Sequence, residues 1–449
     1  MASHARTLAT FTFALLLLAG LAGCKSASRG GTRDGVTTRP IVGVDAATAR
    51  RGLPVNALRG EPGVRVRIVR SATQVQLASA GQLTVGPSGE QPVASRASAF
   101  AGPLSIHHDR SGFVITDGRG QSVRWGLGAL LVTSTSGTVQ VDSTRYPDAI
   151  ALVAVVDDSG RATGRIDVVN HVGMERYLPG VLSRELYASW DEKAYRAQAI
   201  AARSYAIWEM NLPHRRASHY DLEAGQASQA YLGLDASDKA RSAVQATRGL
   251  VLVFDNRVLP AFYSSCSGGT GQDAAAVFPE KVDDLAPLRG REHGGWAQQS
   301  EKFRWGPVTY PNARLMAAMV RWGSANEHPI RGMTGGVRDI QTIAHNRVGR
   351  PARFAVTDGH NRRYELHAEQ LRQAANFAVP GDPEGAQYTL FSSHVEVHVT
   401  PQSVTFTGRG YGHGVGMCQW GAQGMAQHGY DPIAILNFYY PGAVVYRAY

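Results

Sequence analysis

Residues 189–210 read SWDEKAYRAQAIAARSYAIWEM, and this alanine-rich segment organises the rest of the predicted fold. Its first four residues, Ser189 to Glu192, have the spacing of a capping box, so they predict a helix that continues to about Met210. One face of this helix carries small and aromatic residues, namely Ala194, Ala197, Ala201, Tyr205 and Trp208. Because small residues allow close packing, we expect this helix to lie in the centre of the core. The same periodicity predicts that Arg203 faces solvent.

Strands are predicted on both sides of the helix. Residues 64–69 alternate between apolar and polar with period two, as do parts of 105–116 and 137–141, so 61–170 is predicted to form short strands. Residues 250–254 and 258–263 predict a hairpin that turns at Asp255-Asn256. The predicted fold class is therefore α+β, strand-rich, with a central helix packed on sheet. The polar stretch at 290–350, with a helical patch at 313–322, is predicted to be a variable excursion.

Composition and cysteine usage exclude several classes of protein. The chain has 449 residues, 43% of them hydrophobic and 18% charged, with a formal net charge of +10. Such a chain can bury a large core, which excludes wholesale disorder and leaves room for roughly two or three domains. Its three cysteines, Cys24, Cys266 and Cys418, include no C-x-x-C pair, so a disulfide scaffold and a zinc ribbon are excluded. A small buried thiol is the favoured role for Cys266, and a disulfide between Cys266 and Cys418 stays open.

The N-terminal residues predict export and a lipid anchor. His4 and Arg6 precede an apolar run at 11–18 that is too short to span a bilayer, so residues 1–23 are predicted to be a signal peptide. The run ends in Leu-Ala-Gly-Cys, which is similar to a bacterial lipobox and predicts lipid attachment at Cys24. An ordinary secretory signal with a chance cysteine is the alternative. Residues 24–60 are predicted to be a flexible tether.

These N-terminal features also predict where the protein acts. We expect it in the cell envelope, anchored by lipid, at the outer membrane or facing the periplasm if the organism is Gram-negative. The excess of basic residues does not indicate nucleic-acid binding, because an exported protein does not normally meet chromosomal DNA.

A glycine-rich segment near the C-terminus is a candidate binding element. Residues 408–416 read GRGYGHGVG, so a strand here would have one bare face and would carry Arg409, Tyr411 and His413 on the other. Either the bare face packs under a neighbour without chemistry, or a sugar ring lies against it. The glycines fit no G-x-G-x-x-G spacing, which argues against a nucleotide site.

Four separated blocks of sequence point to one family. They are ERYLPGVLSRELYASWDEKAYRAQAIAARSYA at 175–206, ATRGLVLVFDNRVLPAFYSSCSGGTG at 246–271, LRQAANF with LFSSHVEV within 371–397, and GRGYGHGVGMCQWGAQGMAQHGYDPIAILNFYYPGA at 408–443. In this order they resemble the SpoIID/LytB-domain family, which includes the stage II sporulation protein D lytic transglycosylases and the amidase enhancers. The resemblance covers about 61–449 and is weakest at 290–350. It implies a strand-rich N-terminal part at 61–170, a catalytic core at 171–449 and a substrate groove between subdomains.

The resemblance also implies site residues and chemistry. Glu185 matches the family's catalytic acid, and its apolar neighbours would raise its pKa, although it could instead be a solvated or capping glutamate. The implied reaction is cleavage of the bond between N-acetylmuramic acid (MurNAc) and N-acetylglucosamine (GlcNAc), which leaves 1,6-anhydro-MurNAc ends. Arg203 matches an arginine important in the family, for which we expect a contact with the lactyl carboxylate or with Glu185. Further substrate-binding residues are predicted at Ser265, Arg409, Tyr411 and His413.

Two functions remain open at this stage. One is a peptidoglycan lytic transglycosylase, and the other is a non-catalytic peptidoglycan-binding protein or an enhancer of a cell-wall amidase. Glycan strands are the expected partner, with an amidase as the alternative partner. Zinc-binding members of the family carry cysteines and histidines in the loop after the helix, whereas residues 219–229 here contain only His219, so we expect no metal and no cofactor.

Overall fold

The computed structural model describes residues 46–88, 97–109, 111–126, 128–225, 228–382 and 388–449. The predicted signal peptide, the predicted lipid-attachment residue Cys24 and the tether up to residue 45 lie outside these residues. The remainder of the predicted tether is packed against the protein: it contains a helix at Ala46–Arg51, and Leu53 is 1% exposed. Some residues before 61 therefore belong to the packed structure, because the apolar side chains of Ala49, Leu53 and Leu58 join hydrophobic cores.

The described residues contain helices and many strands, which confirms the α+β class. The helices are α1 Ala46–Arg51, α2 Met174–Glu185, α3 Glu192–Met210, α4 Pro213–Arg216, α5 Asp238–Ala246, α6 Ala274–Val277, α7 Asn312–Ala325, α8 Ala368–Ala375, α9 Gln419–Gln427 and α10 Pro432–Tyr439. The strands of the N-terminal half are β1 Gly63–Ala72, β2 Gln74–Ala78, β3 Leu83–Pro87, β4 Ser98–Phe100, β5 Leu104–Asp109, β6 Gly112–Thr116, β7 Ser122–Trp125, β8 Leu130–Ser134, β9 Thr138–Val141, β10 Thr144–Pro147, β11 Ala149–Val156 and β12 Ala162–Gly173. The later strands are β13 Leu222–Glu223, β14 Leu250–Phe254, β15 Arg257–Val258, β16 Tyr263–Ser264, β17 Trp305–Pro311, β18 Val337–His345, β19 Pro351–Asp358, β20 Arg363–His367, β21 Val395–Val399, β22 Ser403–Gly408, β23 Met417–Cys418 and β24 Val444–Arg447.

The N-terminal strands form two sheets that share one hydrophobic core. Their strand orders are β13-β1-β12-β11-β8-β3-β4 and β10-β9-β2-β5-β6-β7. Inward side chains from both sheets, such as Val66, Val85 and Ile106, belong to the same buried cluster. The alternation at residues 64–69 correctly predicts β1, which pairs antiparallel with β12. Chain continuity from β12 into α2 then connects this core directly to the helical part of the protein.

Helix α3 is buried on both faces rather than on one. The predicted apolar face, with Ala197, Tyr205 and Trp208, packs into a second core that includes β14, α9 and α10. The opposite face, with Tyr195 and Ala202, packs into the core of the N-terminal sheets. The predicted N-terminus is displaced as well: Asp191, not Ser189, caps α3, and its carboxylate accepts the backbone N–H of Lys193 at 2.8 Å.

The prediction that Arg203 faces solvent is wrong, because the second face of α3 is also covered. The Arg203 side chain is fully buried and forms a bidentate ion pair with Glu175. The Nε–Oε1 and Nη2–Oε2 distances are 2.9 and 2.7 Å. Arg203 Nη1 also donates to the carbonyl of Leu250 in β14 at 3.1 Å, and the Tyr449 hydroxyl donates to Glu175 at 2.7 Å. The pair therefore joins the start of α2, the middle of α3, β14 and the C-terminal residue.

The predicted hairpin is present, although its second strand is shorter than expected. Strands β14 and β15 pair antiparallel, and Asp255 and Asn256 have φ values of 51° and 57°. Such positive φ values suit the two-residue turns of β-hairpins, in which Asn and Asp are tolerated.

Residues 290–350 are more regular than the predicted excursion, and they contribute to a third hydrophobic core. Strands β17, β22 and β21 form one sheet, and β18, β19 and β20 form another. Helix α7 covers the predicted helical patch and buries Leu315, Met319 and Trp322 in this core. Its packing partners include β21 and β22, more than 70 residues later in the chain, so local polarity gave no sign of this order.

The glycine-rich segment is not the predicted strand with one bare face. Gly410, Gly412, Gly414 and Gly416 have φ values of +84°, +92°, +76° and +69°, in a region that side chains rarely adopt. The segment runs beside the loop that follows β16 and contains Cys266, which we call the Cys266 loop. There the backbones of Cys266 and Tyr411 form two mutual hydrogen bonds of 3.0 and 2.7 Å. The glycines are thus required by backbone conformation and close approach rather than by a flat strand face.

Gly416→Ala tests this close approach. A Cβ atom at residue 416 would lie 1.9 Å from the carbonyl oxygen of Phe262, so we expect a loss of more than about 4 kcal/mol in the free energy of unfolding. Gly137→Ala is the matched control, because Gly137 has the same φ of +69° but no atom lies within 4 Å of the position that a Cβ atom would take there. That variant loses only the cost of a left-handed alanine, about 1–2 kcal/mol. Equal losses in calorimetric unfolding would show that the contact with Phe262 does not matter.

Arg203→Met tests the buried ion pair. The substitution leaves the Glu175 carboxylate buried without its cation, so we expect a loss of about 3–5 kcal/mol in the free energy of unfolding. Adding Glu175→Gln removes the stranded charge and restores part of that loss. The exposed Arg196, which pairs with Glu192 on the same helix, provides the control Arg196→Met with a loss below about 1 kcal/mol. If Arg203→Met unfolds like wild type but no longer binds glycan, Arg203 is a substrate residue after all.

Candidate active site

Glu185 is the last residue of α2, and its carboxylate is held by two donors from distant parts of the chain. The backbone N–H of Ala230 donates to Oε1 and the side-chain amide of Gln419 donates to Oε2, each at 3.1 Å. Burial raises the pKa of Glu185 above its ordinary value, and the bonds from Gln419 and Ala230 offset part of that rise by stabilising the charged form. The site can therefore hold a protonated carboxyl and still stabilise the carboxylate that forms when the proton leaves.

A buried amide positions the loop that carries Ala230. Gln229 accepts the hydroxyl of Tyr177 at 3.1 Å and donates to the hydroxyl of Tyr263 at 2.9 Å and to the carbonyl of Ala202 at 3.2 Å. These bonds fix residues 228–230 against α2 and α3. Sequence reasoning missed Gln229, because residues 219–229 were considered only as possible metal ligands.

The two buried cysteines position Gln419. Cys418 caps α9, where its sulfur accepts backbone N–H groups of Gly421 at 3.3 Å and Ser267 at 3.2 Å. Cys266 and Cys418 are free thiols in contact with each other, and the hydrogen bond to Cys418, together with burial, raises the pKa of Cys266. The structure thus supports the buried-thiol interpretation of Cys266. The cap that Cys418 provides fixes the first turn of α9, from which the Gln419 side chain reaches Glu185.

His413 lines a cavity of about 300 Å³ next to this site. The other lining residues include Tyr205, Phe262, Tyr263, Phe278, Lys281 and Arg372. Burial, together with the nearby Arg372 and Arg350, lowers the pKa of His413 to about 3, so the ring is neutral at physiological pH. Its Nδ1 atom accepts the backbone N–H of Val415 at 3.0 Å, so its own loop helps to orient the ring. Tyr263 lines the cavity and lies within electrostatic range of Glu185.

The remaining predicted substrate residues lie in different surroundings. Arg203 is buried on Glu175 and does not contact Glu185. Ser265 contributes its carbonyl, which accepts the backbone N–H of Trp420 at 3.0 Å. Tyr411 is 42% exposed and packs edge-on against Phe391 at 5.7 Å between ring centroids. Arg409 lines a second, larger groove of about 540 Å³, so the glycine-rich segment contributes to two separate concave surfaces.

An aromatic cluster next to Glu185 was also missed from the sequence. Tyr187, Trp190 and Trp420 pack together with ring centroids 4.9–5.5 Å apart. Tyr187 follows Glu185 by two residues, and Trp420 directly follows Gln419, which donates to the Glu185 carboxylate. The cluster is therefore connected through the chain both to Glu185 and to its hydrogen-bond donor. Tyr187 is 59% exposed. The signal available in the sequence was the run ELYASW, which places two aromatic residues just after Glu185.

The described residues contain no group of three or more His, Cys, Asp or Glu side chains placed to hold a metal ion. His219, the only histidine of the loop considered for zinc, bonds Asp167 with an Nε2–Oδ2 distance of 2.9 Å. Among the helices of this part of the chain, none combines the length and the apolar character needed to cross a membrane.

Comparisons with known proteins find a family model that covers Glu185. The model of the SpoIID family, described as Stage II sporulation protein, matches residues 162–254, and a model described as a domain of unknown function matches 285–416. The first match covers all of β12, α2, α3 and β14, and therefore includes Glu185. The second covers much of the region that forms the third core.

Similar proteins agree with the SpoIID match. The amidase enhancer of Bacillus subtilis (strain 168) is 25% identical over 289 residues, which is 60% of this chain and 40% of the enhancer. An uncharacterized protein of Brachyspira hyodysenteriae is 28% identical over 61% of this chain and 67% of its own length. Stage II sporulation protein D of Bacillus subtilis (strain 168) is 24% identical over 62% of this chain and 76% of its own length. The SpoIID match at residues 162–254 and these relatives support an assignment of the chain to the SpoIID/LytB family.

Proposed function

We propose that this protein cleaves peptidoglycan glycan strands as a lytic transglycosylase, with Glu185 as its acid and base. The observation that carries the proposal is the environment of Glu185, a half-buried carboxyl with a raised pKa at the end of a helix and within reach of two donors. A carboxyl whose pKa is raised keeps its proton to a higher pH than an ordinary glutamate, which suits it to protonate a glycosidic oxygen. The relatives named for sporulation and for amidase enhancement support a role at the cell wall.

The reaction would need a single carboxyl group. Protonated Glu185 gives its proton to the oxygen between MurNAc and GlcNAc, and the bond from that oxygen to the anomeric carbon breaks. The carboxylate then takes the proton of the muramic 6-hydroxyl, whose oxygen forms a new bond to the anomeric carbon. Glu185 ends protonated, and the products are a free GlcNAc hydroxyl and a 1,6-anhydro-MurNAc end. Gln419 and Ala230 stabilise the carboxylate between the two proton transfers.

The aromatic cluster supports a sugar as the substrate. Pyranose rings have apolar faces that stack on aromatic side chains, and Tyr187 presents a largely exposed ring two residues from the proposed acid. The Tyr187 ring packs against the rings of Trp190 and Trp420, which hold it in place. A glycan strand held on Tyr187 would have a glycosidic bond near Glu185.

A non-catalytic role is the second candidate, favoured by the relative that is named an amidase enhancer. In that case the same surface would bind glycan and present it to a cell-wall amidase, and Glu185 would be a binding residue. The envelope location and the lipid anchor at Cys24 remain predictions that apply to both candidates.

Glu185→Gln separates the two candidates. Glutamine has the shape of glutamate and can still accept one of the two hydrogen bonds at this position, but it cannot donate and recover a proton. We therefore expect the rate of strand cleavage to fall by about 10² to 10⁴, with glycan binding nearly unchanged. The assay is formation of 1,6-anhydro ends on purified strands, with and without their peptides, read by mass spectrometry. Glu192→Gln, at an exposed glutamate of α3, is the matched control and should cleave like wild type.

The pH profile provides a second readout of the same residue. Because its pKa is raised, wild-type activity should decline at a pH above the ordinary glutamate pKa of about 4.3, as Glu185 loses its proton. Residual activity of Glu185→Gln should lack that decline. Cleavage by Glu185→Gln at the wild-type rate would exclude Glu185 as the acid. Binding of strands by both forms without any new ends would favour the enhancer candidate.

Tyr187→Ala tests the proposed sugar platform. Removing the ring should weaken binding of peptide-free glycan strands about threefold to tenfold, the range that ring stacking provides. Tyr187→Phe keeps the ring and should bind like wild type. Equal affinities for the alanine and phenylalanine variants in a pull-down or calorimetric titration would show that the ring does not hold glycan.

A further inference from the structure

The groove that contains Arg409 lies outside the Glu185 site and has a composition of its own. It has a volume of about 540 Å³ and is formed mainly by residues of the third core region and the glycine-rich segment. We call it the arginine groove, and its polar and aromatic lining includes Arg304, Trp305, His345, His394, Glu396 and Arg409. No residue of this set contributes to the proposed cleavage.

Three charged side chains in the arginine groove have no partner among the described residues. The side chains of Arg304, Arg409 and Glu396 form no hydrogen bond and no ion pair with any residue that the structure describes. Two other arginines of this region are paired with carboxylates, Arg314 with Asp382 and Arg372 with Glu369. These exposed or half-buried side chains of both signs can therefore form charge-assisted hydrogen bonds with a ligand in the groove.

The protein around the groove adds positive potential. Arg350 is fully buried beneath the glycine-rich segment, where it donates to the carbonyls of Thr270 at 2.8 Å and His413 at 3.3 Å. Burial, together with the nearby Arg350, Arg409 and His345, lowers the pKa of His394 to about 3, so His394 is neutral near physiological pH. The groove thus favours an anionic group beside Arg304 and Arg409.

The position of Glu396 narrows the chemistry of the ligand. Guanidinium groups hold carboxylates and phosphates through paired hydrogen bonds, so the arginines alone would accept either anion. A phosphate polymer would also meet the negative charge of Glu396, whereas a ligand with an ammonium group would gain from it. A peptide with a free carboxylate and a free amine matches all three side chains.

We propose that the arginine groove binds the peptides attached to peptidoglycan glycan strands. The peptide carboxylate pairs with Arg304 and Arg409, and the amine of its diamino residue pairs with Glu396. This assignment rests on the proposed function for its choice of peptidoglycan.

The groove is close enough to the His413 cavity for one substrate to contact both. Arg409 lines the groove and His413 lines the cavity, and four residue steps separate their Cα atoms by at most about 14 Å. Trp305 fixes the segment between them, because its indole N–H donates to the carbonyl of Gly410 at 2.8 Å. A strand that still carries peptides would therefore gain contacts that a bare strand lacks.

The test measures peptide binding directly, without cleavage. The probe is a soluble tetrapeptide from peptidoglycan that has a free side-chain amine, titrated into the full chain by calorimetry at low salt. Wild type should bind it, and Arg304→Gln and Arg409→Gln should each weaken binding roughly tenfold, because each removes a charge-assisted pair. Arg338→Gln, on β18 outside the groove, is the control and should bind like wild type. Circular dichroism checks that each variant is folded.

Acetylating the amine of the probe isolates the contribution of Glu396. Acetylation should weaken binding to wild type but not to Glu396→Gln, which has already lost the charge that the amine pairs with. Absence of binding to wild type, or wild-type binding by both arginine variants, would overturn the proposal. So would inorganic phosphate that competes with the peptide at equal concentration, together with no effect of acetylation, since the groove would then take anions in general.

These outcomes are independent of the proposed catalysis. Peptide binding by a protein that makes no anhydro ends would leave the arginine groove in place as part of a binding module. Formation of anhydro ends by a protein that binds no peptide would retain the enzyme and remove the groove assignment.

Discussion

The ion pair between Arg203 and Glu175 follows from the burial of α3 on both faces. At Arg203 both faces of α3 are covered by hydrophobic cores, so the arginine cannot reach water there and its charge must be neutralised inside the protein. Glu175 supplies that neutralisation from the first turn of α2, and β14 and the C-terminal Tyr449 complete the hydrogen bonds. This pair sets α2 against α3, and α2 in turn ends at Glu185.

The proton affinity of Glu185 depends on a balance among three remote segments. The end of α2 removes its carboxyl from water, which favours the neutral form, while the loop at 228–230 and the start of α9 supply donors that favour the charged form. Each donor has its own support: Gln229 anchors the loop, and Cys418 caps α9. A group that must release and recover a proton benefits from an environment that strongly excludes neither form.

The glycine-rich segment brings the third core region to the rest of the protein. Its positive φ values allow the backbone to pass within hydrogen-bonding distance of the Cys266 loop, and Arg350 reaches from the other side to bind the carbonyl of His413. The segment consequently lines the His413 cavity and the arginine groove at once. Backbone geometry, more than any single side chain, makes these two surfaces neighbours.

By itself, the sequence determined the α+β class, the central helix and its apolar face, strand β1, the hairpin at Asp255-Asn256 and the family, because each depends on local periodicity, turn chemistry or motif order. It also singled out Glu185. Only the tertiary structure decided that α3 has a second buried face, that Arg203 pairs with Glu175 and that Arg409 lies in a groove apart from His413. The physical reason is that burial and charge pairing are set by partners far away in the chain, such as Gln419, which lies 234 residues after Glu185. No local pattern around Arg203 or Glu185 records which distant side chain arrives there.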